Sequence, residues 1–189
     1  MHSLIRISLL SAIALLGGIC SARADLISSD LTGTDVANNL PATGTSFLAP
    51  GLSQSGWSIG AGLNPASGID DRIGFIAPAG ASPATLGAAI AADQYLTITL
   101  TPSSPVDLAG QRLSFTIDRD SWWASTTYSL LTSVSGFGAN SELFQSPVMA
   151  NGAQDATTFS YIFPLEAAFY GISSPIEIRI YVHGGQYNN

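Results

Sequence analysis

The amino-acid sequence predicts an all-β fold, an antiparallel β-sandwich of jelly-roll type with one short helix near residues 84–93. Three observations predict it. Apolar residues alternate with serine and threonine at the period of a strand, glycine and proline separate these segments, and a single stretch is rich in alanine. Successive strands without alternating helices are typical of two antiparallel sheets that bury their inner faces against each other.

Residues 1–24 form a separate segment with the pattern of a signal peptide. Arg6 precedes an apolar run over 7–19, and Ala22-Arg23-Ala24 is a small-x-small cleavage motif. The run is shorter than the about 18 to 20 apolar residues that a membrane helix needs. We therefore expect export to the cell surface or the extracellular space, with cleavage before Asp25 and no membrane span in the mature chain.

The mature chain, residues 25–189, is predicted to be one acidic domain without cysteine. The sole cysteine, Cys20, lies in the leader, and Ile19 stands where a lipoprotein signal would have a small residue. Loss of Arg6 and Arg23 changes the formal net charge from −7 to −9, and lysine is absent. Such a surface repels nucleic acid, which leaves neutral glycans, divalent cations or other proteins as partners.

The first two long strands are predicted over 95–101 and 113–117. In the first, Leu96, Ile98 and Leu100 face one side and threonines face the other. In the second, leucine, phenylalanine and isoleucine alternate with serine and threonine. Because only turn-forming residues separate them, we expect these two strands to be neighbours.

Further strands are predicted over 128–134, from about Leu143, over 159–163 and over 176–182. Aromatic or β-branched residues occupy alternate positions in the last two. Glycines in the 135–138 segment permit the positive φ of a tight turn. Residues 25–80 are predicted to contain short strands and long loops, and the helix near 84–93 is too short to be stable alone.

Taken together, the order of these segments resembles exported β-sandwich proteins of Gram-negative bacteria that carry a PEP-CTERM sorting signal. The matching segments are 89–95, 96–102, 113–121, 133–137 and 176–184. The resemblance implies a secreted protein that is retained at the surface or associated with an exopolysaccharide matrix, and it implies no catalytic residues. Such proteins continue into another strand and a sorting tail, so we expect that this chain is truncated after Asn189.

Nucleophilic and zinc chemistry are disfavoured by the residues available. His183 is the only histidine of the mature chain, so a serine nucleophile has only this one imidazole as a candidate base. A single histidine without cysteine leaves too few ligands for zinc. We expect His183 to be an exposed residue at the end of a strand.

Acidic pairs allow two other kinds of chemistry. Asp118 and Asp120, on one strand face about 7 Å apart, fall within the about 5 to 9.5 Å that glycoside hydrolysis requires. They would point together into solvent, which favours a solvated face over a hydrolase. The same pair, or Asp70 and Asp71, could also supply oxygen ligands to calcium. Arg119 falls in the inward register, so either the strand ends there or Arg119 needs a nearby carboxylate such as Asp118, Asp120 or Glu177.

Trp122 and Trp123 are the strongest candidates for ligand binding. Two adjacent tryptophans after an extended strand cannot both enter one core, and an exposed indole beside charged groups is suited to hold a sugar ring. Their charged neighbours are Asp118, Arg119 and Asp120. Alternatively, Trp122 closes the end of the sandwich and Trp123 packs against Tyr128.

The sequence thus predicts a non-enzymatic exported module of the cell surface or matrix. The alternatives are a carbohydrate-binding module that uses Trp122 and Trp123, and a glycoside hydrolase that uses Asp118 and Asp120. No cofactor is predicted apart from the optional calcium ion, and the oligomeric state is left open.

Overall fold

A computed structural model describes residues 25–28, 47–65, 75–76, 83–117, 126–149 and 157–184. In these residues the predicted fold class is confirmed: strands dominate, every pair of named strands is antiparallel, and one short α-helix is present. The strands are β1 (Ile27–Ser28), β2 (Phe47–Leu48), β3 (Leu52–Gln54), β4 (Ser58–Ile59), β5 (Asn64–Pro65), β6 (Phe75–Ile76), β7 (Tyr95–Pro102), β8 (Arg112–Ile117), β9 (Thr127–Thr132), β10 (Phe144–Gln145), β11 (Thr157–Ile162) and β12 (Ile176–His183). The helix, α1, spans Leu86–Ala91.

The larger sheet is organised around β12. Its strand order is β10-β9-β12-β7-β3, and β4 also pairs with β7. Ile178 lies opposite Ile98 on β7 and Thr132 on β9, which fixes the register of the three long strands. The predicted alternation places Ile98, Leu100 and the isoleucines of β12 on the inner face, where they are buried.

Among the described residues, three two-stranded sheets accompany the larger sheet, namely β1-β2, β5-β6 and β8-β11. The sheet of β8 and β11, called the smaller sheet below, packs its inner face on the larger sheet. Leu113 and Phe159 are buried there. The rings of Tyr128 and Phe159 lie 6.3 Å apart across the two sheets, and those of Phe144 and Phe159 lie 6.1 Å apart. The two sheets therefore share one hydrophobic core in a sandwich-like arrangement.

Hydroxyl side chains occupy the outer face of the smaller sheet. Thr116 and Thr158 are opposite each other, with their oxygens 2.8 Å apart. Ser114 donates to Ser160 in the same way at 3.3 Å. These pairs are exposed, so the predicted division into an apolar and a hydroxylated face is confirmed on β8 and β11.

The helix covers part of the outer face of the larger sheet. Its first turn is capped by Thr85, whose hydroxyl accepts from the backbone N–H of Ala88. Leu86 and Ala89 then pack on Leu131 of β9 and Tyr181 of β12. This contact stabilises a helix that is too short to form alone, and it makes a second, smaller apolar cluster on the far side of the sheet.

One detail differs from the sequence prediction, and one goes beyond it. The strands β7 and β8 are not neighbours, because the connection between them crosses from one sheet to the other. Leu108 in this connection is buried, and Val106 bridges to Ile172. In addition, the structure shows that β9 is buried on both faces, since the helix covers its outer side.

The jelly-roll strand order stays a prediction. Within the described parts of the chain, we find no helix that has both the length and the apolar character needed to span a bilayer.

Candidate functional site

The ligand site predicted from the sequence falls beyond the end of β8. Asp118, Arg119, Asp120, Trp122 and Trp123 all lie outside the described residues. The candidate calcium residues Asp70 and Asp71 lie outside them as well. These assignments therefore stay predictions.

Within the described residues, a polar and aromatic cluster forms on the outer face of the larger sheet. The isoleucines of β12 point inward, so Glu177, Arg179 and Tyr181 point outward along the same strand. Thr97 lies opposite Arg179, and Tyr95 lies opposite Tyr181. We call these five residues, together with Phe137 from the turn after β9, the outer-face cluster.

Arg179 is the centre of the outer-face cluster. Its Nε donates to Oε1 of Glu177 at 2.7 Å, and its Nη1 donates to the hydroxyl of Tyr181 at 3.1 Å. Its guanidinium carbon lies 4.3 Å from the centre of the Tyr95 ring and 4.0 Å from that of Phe137. The guanidinium is thus held by two hydrogen bonds and two cation–π contacts.

Hydrogen bonds from its side chain and its backbone fix the position of Glu177 beside Arg179. Its Oε1 also accepts from the hydroxyl of Thr97 at 3.2 Å. Its backbone N–H donates to Oγ of Ser133, and its carbonyl accepts from the backbone N–H of Ser133 at 2.8 Å. The carboxylate therefore has a fixed position beside the guanidinium.

The electrostatics of the cluster preserve the charge of Arg179. Partial burial disfavours the charged form, but the hydrogen bonds to Glu177 and Tyr181 outweigh it and raise the pKa of Arg179. Burial also raises the pKa of the Tyr95 phenol, and the nearby Arg179 opposes this effect. A guanidinium that stays protonated can donate hydrogen bonds but cannot act as an acid or a base, so the cluster is suited to recognition rather than proton transfer.

The cluster remains accessible. The side chains of Arg179 and Glu177 are 20% and 29% exposed, while Tyr95 and Phe137 are half-buried beside the helix. The site thus combines fixed donors and acceptors with partly exposed ring surface, which is the composition of sites that bind polar ligands with a few oriented groups.

A second polar pair lies deeper on the same sheet. Oγ of Ser129 and Nε2 of His183 are 2.7 Å apart, and the two residues are only 0% and 5% exposed. The expectation that His183 is exposed is therefore wrong. The physical reason is that Gly184 donates to the carbonyl of Pro83 at 2.7 Å, which brings the segment before α1 against the end of β12.

Burial of His183 also favours the neutral form of its imidazole. Desolvation lowers the pKa of His183, and the carboxylate of Glu142 acts in the opposite direction. Oε1 of Glu142 is itself buried and has no hydrogen-bond partner among the described residues. Because the hydroxyl of Ser129 is fully enclosed, this serine and histidine form an internal hydrogen bond rather than an accessible nucleophile.

Sequence reasoning missed the outer-face cluster. The available signal was the run Glu177-x-Arg179-x-Tyr181, which places three polar side chains on one face of a strand whose other face is isoleucine and valine. Comparisons with protein-family models, curated proteins and solved structures find no match to this chain.

Proposed function

We propose that this chain is an exported, non-enzymatic β-sandwich module of the cell surface or of an exopolysaccharide matrix. The leader pattern over 1–24 supports export, and the resemblance to PEP-CTERM proteins supports the destination. One structural observation carries the proposal: the residues directly after the predicted cleavage site are part of the fold.

That observation concerns Asp25, Leu26 and Ile27. The backbone N–H of Leu26 donates to the carbonyl of Arg112 at 2.8 Å, and Leu26 and Ile27 are buried in the main core. Asp25 forms an exposed ion pair with Arg112 at 3.9 Å. Cleavage before Asp25 would keep every one of these contacts, whereas cleavage a few residues later would remove buried apolar side chains.

The outer surface of the smaller sheet also suits an extracellular protein. Its hydroxyl pairs, Ser114 with Ser160 and Thr116 with Thr158, are uncharged. Uncharged hydrogen bonds are not screened by salt as surface ion pairs are. A surface built in this way keeps its interactions when ionic strength varies outside the cell.

The test is the location and the N-terminus of the protein made with its own leader in a bacterial host. Intact masses would be measured for protein from the medium, the cell surface and the cytoplasm. The chain that begins at Asp25 should be found in the medium or at the cell surface and not in the cytoplasm. Ala24→Leu, which places a large residue at the cleavage site, should leave the leader attached. Ala91→Leu, the same change at an exposed position of α1, should not alter cleavage. Uncleaved wild-type protein confined to the cytoplasm would overturn the proposal.

A further inference from the structure

We propose that the outer-face cluster is a binding site for a neutral polysaccharide. The inference rests on the proposed function only for its setting outside the cell. The site differs from the tryptophan site predicted from the sequence, since it is built by β7, β12 and the turn after β9.

The first argument is the set of hydrogen-bonding groups that the cluster leaves available. Arg179 uses Nε and one N–H of Nη1 within the cluster, and a guanidinium has further N–H donors. Glu177 uses Oε1 for both Arg179 and Thr97, and Oε2 takes part in neither bond. Donors and an acceptor therefore lie side by side, as sugar hydroxyls require, because each hydroxyl can donate and accept.

The second argument is charge. Glu177 balances Arg179 at 2.7 Å, so the cluster has no net positive charge to attract an anion. The whole chain carries a formal charge of −7, which opposes the approach of an anionic polymer. Among polysaccharides, the cluster therefore favours uncharged chains over uronate or sulfated chains.

The third argument is rigidity. An ordinary surface arginine loses side-chain entropy when it binds a ligand, and this loss weakens binding. Arg179 is already immobilised over Tyr95 and Phe137. Arg112 offers the contrast, since it is 41% exposed and reaches Asp25 only at 3.9 Å.

The experiment is affinity electrophoresis of the chain recovered from the exporting host. Native gels would contain hydroxyethylcellulose, galactomannan or dextran as neutral probes, and alginate as the anionic probe. We expect retardation by at least one neutral polysaccharide. Arg179→Gln and Glu177→Gln should each weaken it about tenfold, the usual effect of losing a charge-assisted hydrogen bond. Arg112→Gln removes the same positive charge as Arg179→Gln and should retain full binding.

The folding of each variant must be monitored, because Arg179 packs on Tyr95 and Phe137, and these rings border the apolar cluster beneath the helix. Thermal melting of each variant would show whether the fold is kept. Thr97→Val is a milder variant, since it preserves shape and removes only the hydroxyl that orients Glu177. It should weaken retardation about threefold at unchanged melting temperature.

Three results would overturn the inference. They are no retardation in any neutral gel, retardation in alginate alone, and neutral binding that is unchanged in Arg179→Gln and Glu177→Gln. In the third case, loss of binding in Trp123→Ala would assign the site to the tryptophans instead. Exported protein that binds none of the probes would leave the proposed function intact, whereas protein confined to the cytoplasm would overturn that function whatever the gels show.

Discussion

At the scale of single residues, His183 gives the domain a specific dependence on pH. The pKa of this buried imidazole is lowered by desolvation, so the unfolded chain binds a proton more readily than the folded chain. The free energy of unfolding should therefore fall as the pH drops below about 6.5, the ordinary pKa of histidine. Urea denaturation between pH 7.5 and about 5, above the ordinary range of the carboxylates, measures this change.

Two substitutions separate this effect from general acid sensitivity. His183→Gln can still hydrogen-bond to Ser129 but does not titrate, so its stability should change less over the same pH range. Glu142→Gln removes the carboxylate that opposes the lowering of the His183 pKa, so the free energy of unfolding should fall more over the same pH range. Equal pH profiles for the wild type and His183→Gln would show that His183 has no such role.

Gly62 and Gly87 make a second pair of residue-scale predictions. A methyl group at Gly62 would overlap the carbonyl oxygen of Ala92, where the backbone between β4 and β5 meets the end of the helix. Gly62→Ala should therefore lower the free energy of unfolding by about 1 to 3 kcal/mol. Gly87 lies inside α1 and a methyl group there would meet nothing within 4 Å, so Gly87→Ala should raise it by about 0.5 to 1 kcal/mol. Chemical denaturation of both variants checks the opposite signs, and a neutral Gly62→Ala would contradict the close approach.

Sequence reasoning assigned the correct face of the sheet to residues whose polarity alternates regularly along a strand. Leu96, Ile98 and Leu100 alternate with threonines, and this local pattern is sufficient to assign faces. The burial of His183 and the contacts of Arg179 depend on segments distant in sequence, such as Pro83 and Phe137. No local pattern encodes such contacts, so only the structure could reveal them.

At the scale of elements, β9 has the environment of a strand buried on both faces. Leu130 points into the main core, while Leu131 points to the helix side and is 0% exposed. Leu131→Ala should therefore cost about 2 to 5 kcal/mol, as much as Leu130→Ala. Denaturation curves of the two variants provide the measurement. A near-neutral Leu131→Ala would mean that the helix does not cover this face.

The sequence contained a partial signal for this arrangement. Leu130 and Leu131 are adjacent apolar residues, which breaks the alternation of a half-buried strand. The pairing of strands was harder to predict, since short turns favour neighbours and yet β7 and β8 belong to different sheets. The crossing depends on Leu108 and Val106 packing in the connection, and neither residue has a pattern that distinguishes a crossing from a hairpin.

At the scale of the whole molecule, the faces of the two sheets differ in chemistry. The inner faces of the two sheets hold the shared core, and the outer face of the smaller sheet is hydroxylated. The outer face of the larger sheet is divided between the helix and the outer-face cluster. Every one of these assignments depends on strand register, because a slip of one residue would exchange the two faces of a strand.

Register also governs the smaller sheet, where β8 and β11 are distant in sequence. Thr116 and Thr158 lie opposite each other with side chains in contact, and the chain after the predicted cleavage contains no cysteine. A pair of cysteines at these positions would meet the geometry of a disulfide, and an oxidising compartment would let the bond form.

Thiol titration of the Thr116→Cys/Thr158→Cys variant, exported with its own leader, tests the central claim most directly. Protein recovered outside the cytoplasm should begin at Asp25 and contain no free thiol, while the offset pair Thr116→Cys/Ser160→Cys should retain both thiols. Free thiols in the first variant together with a disulfide in the offset variant would contradict the sandwich register described above.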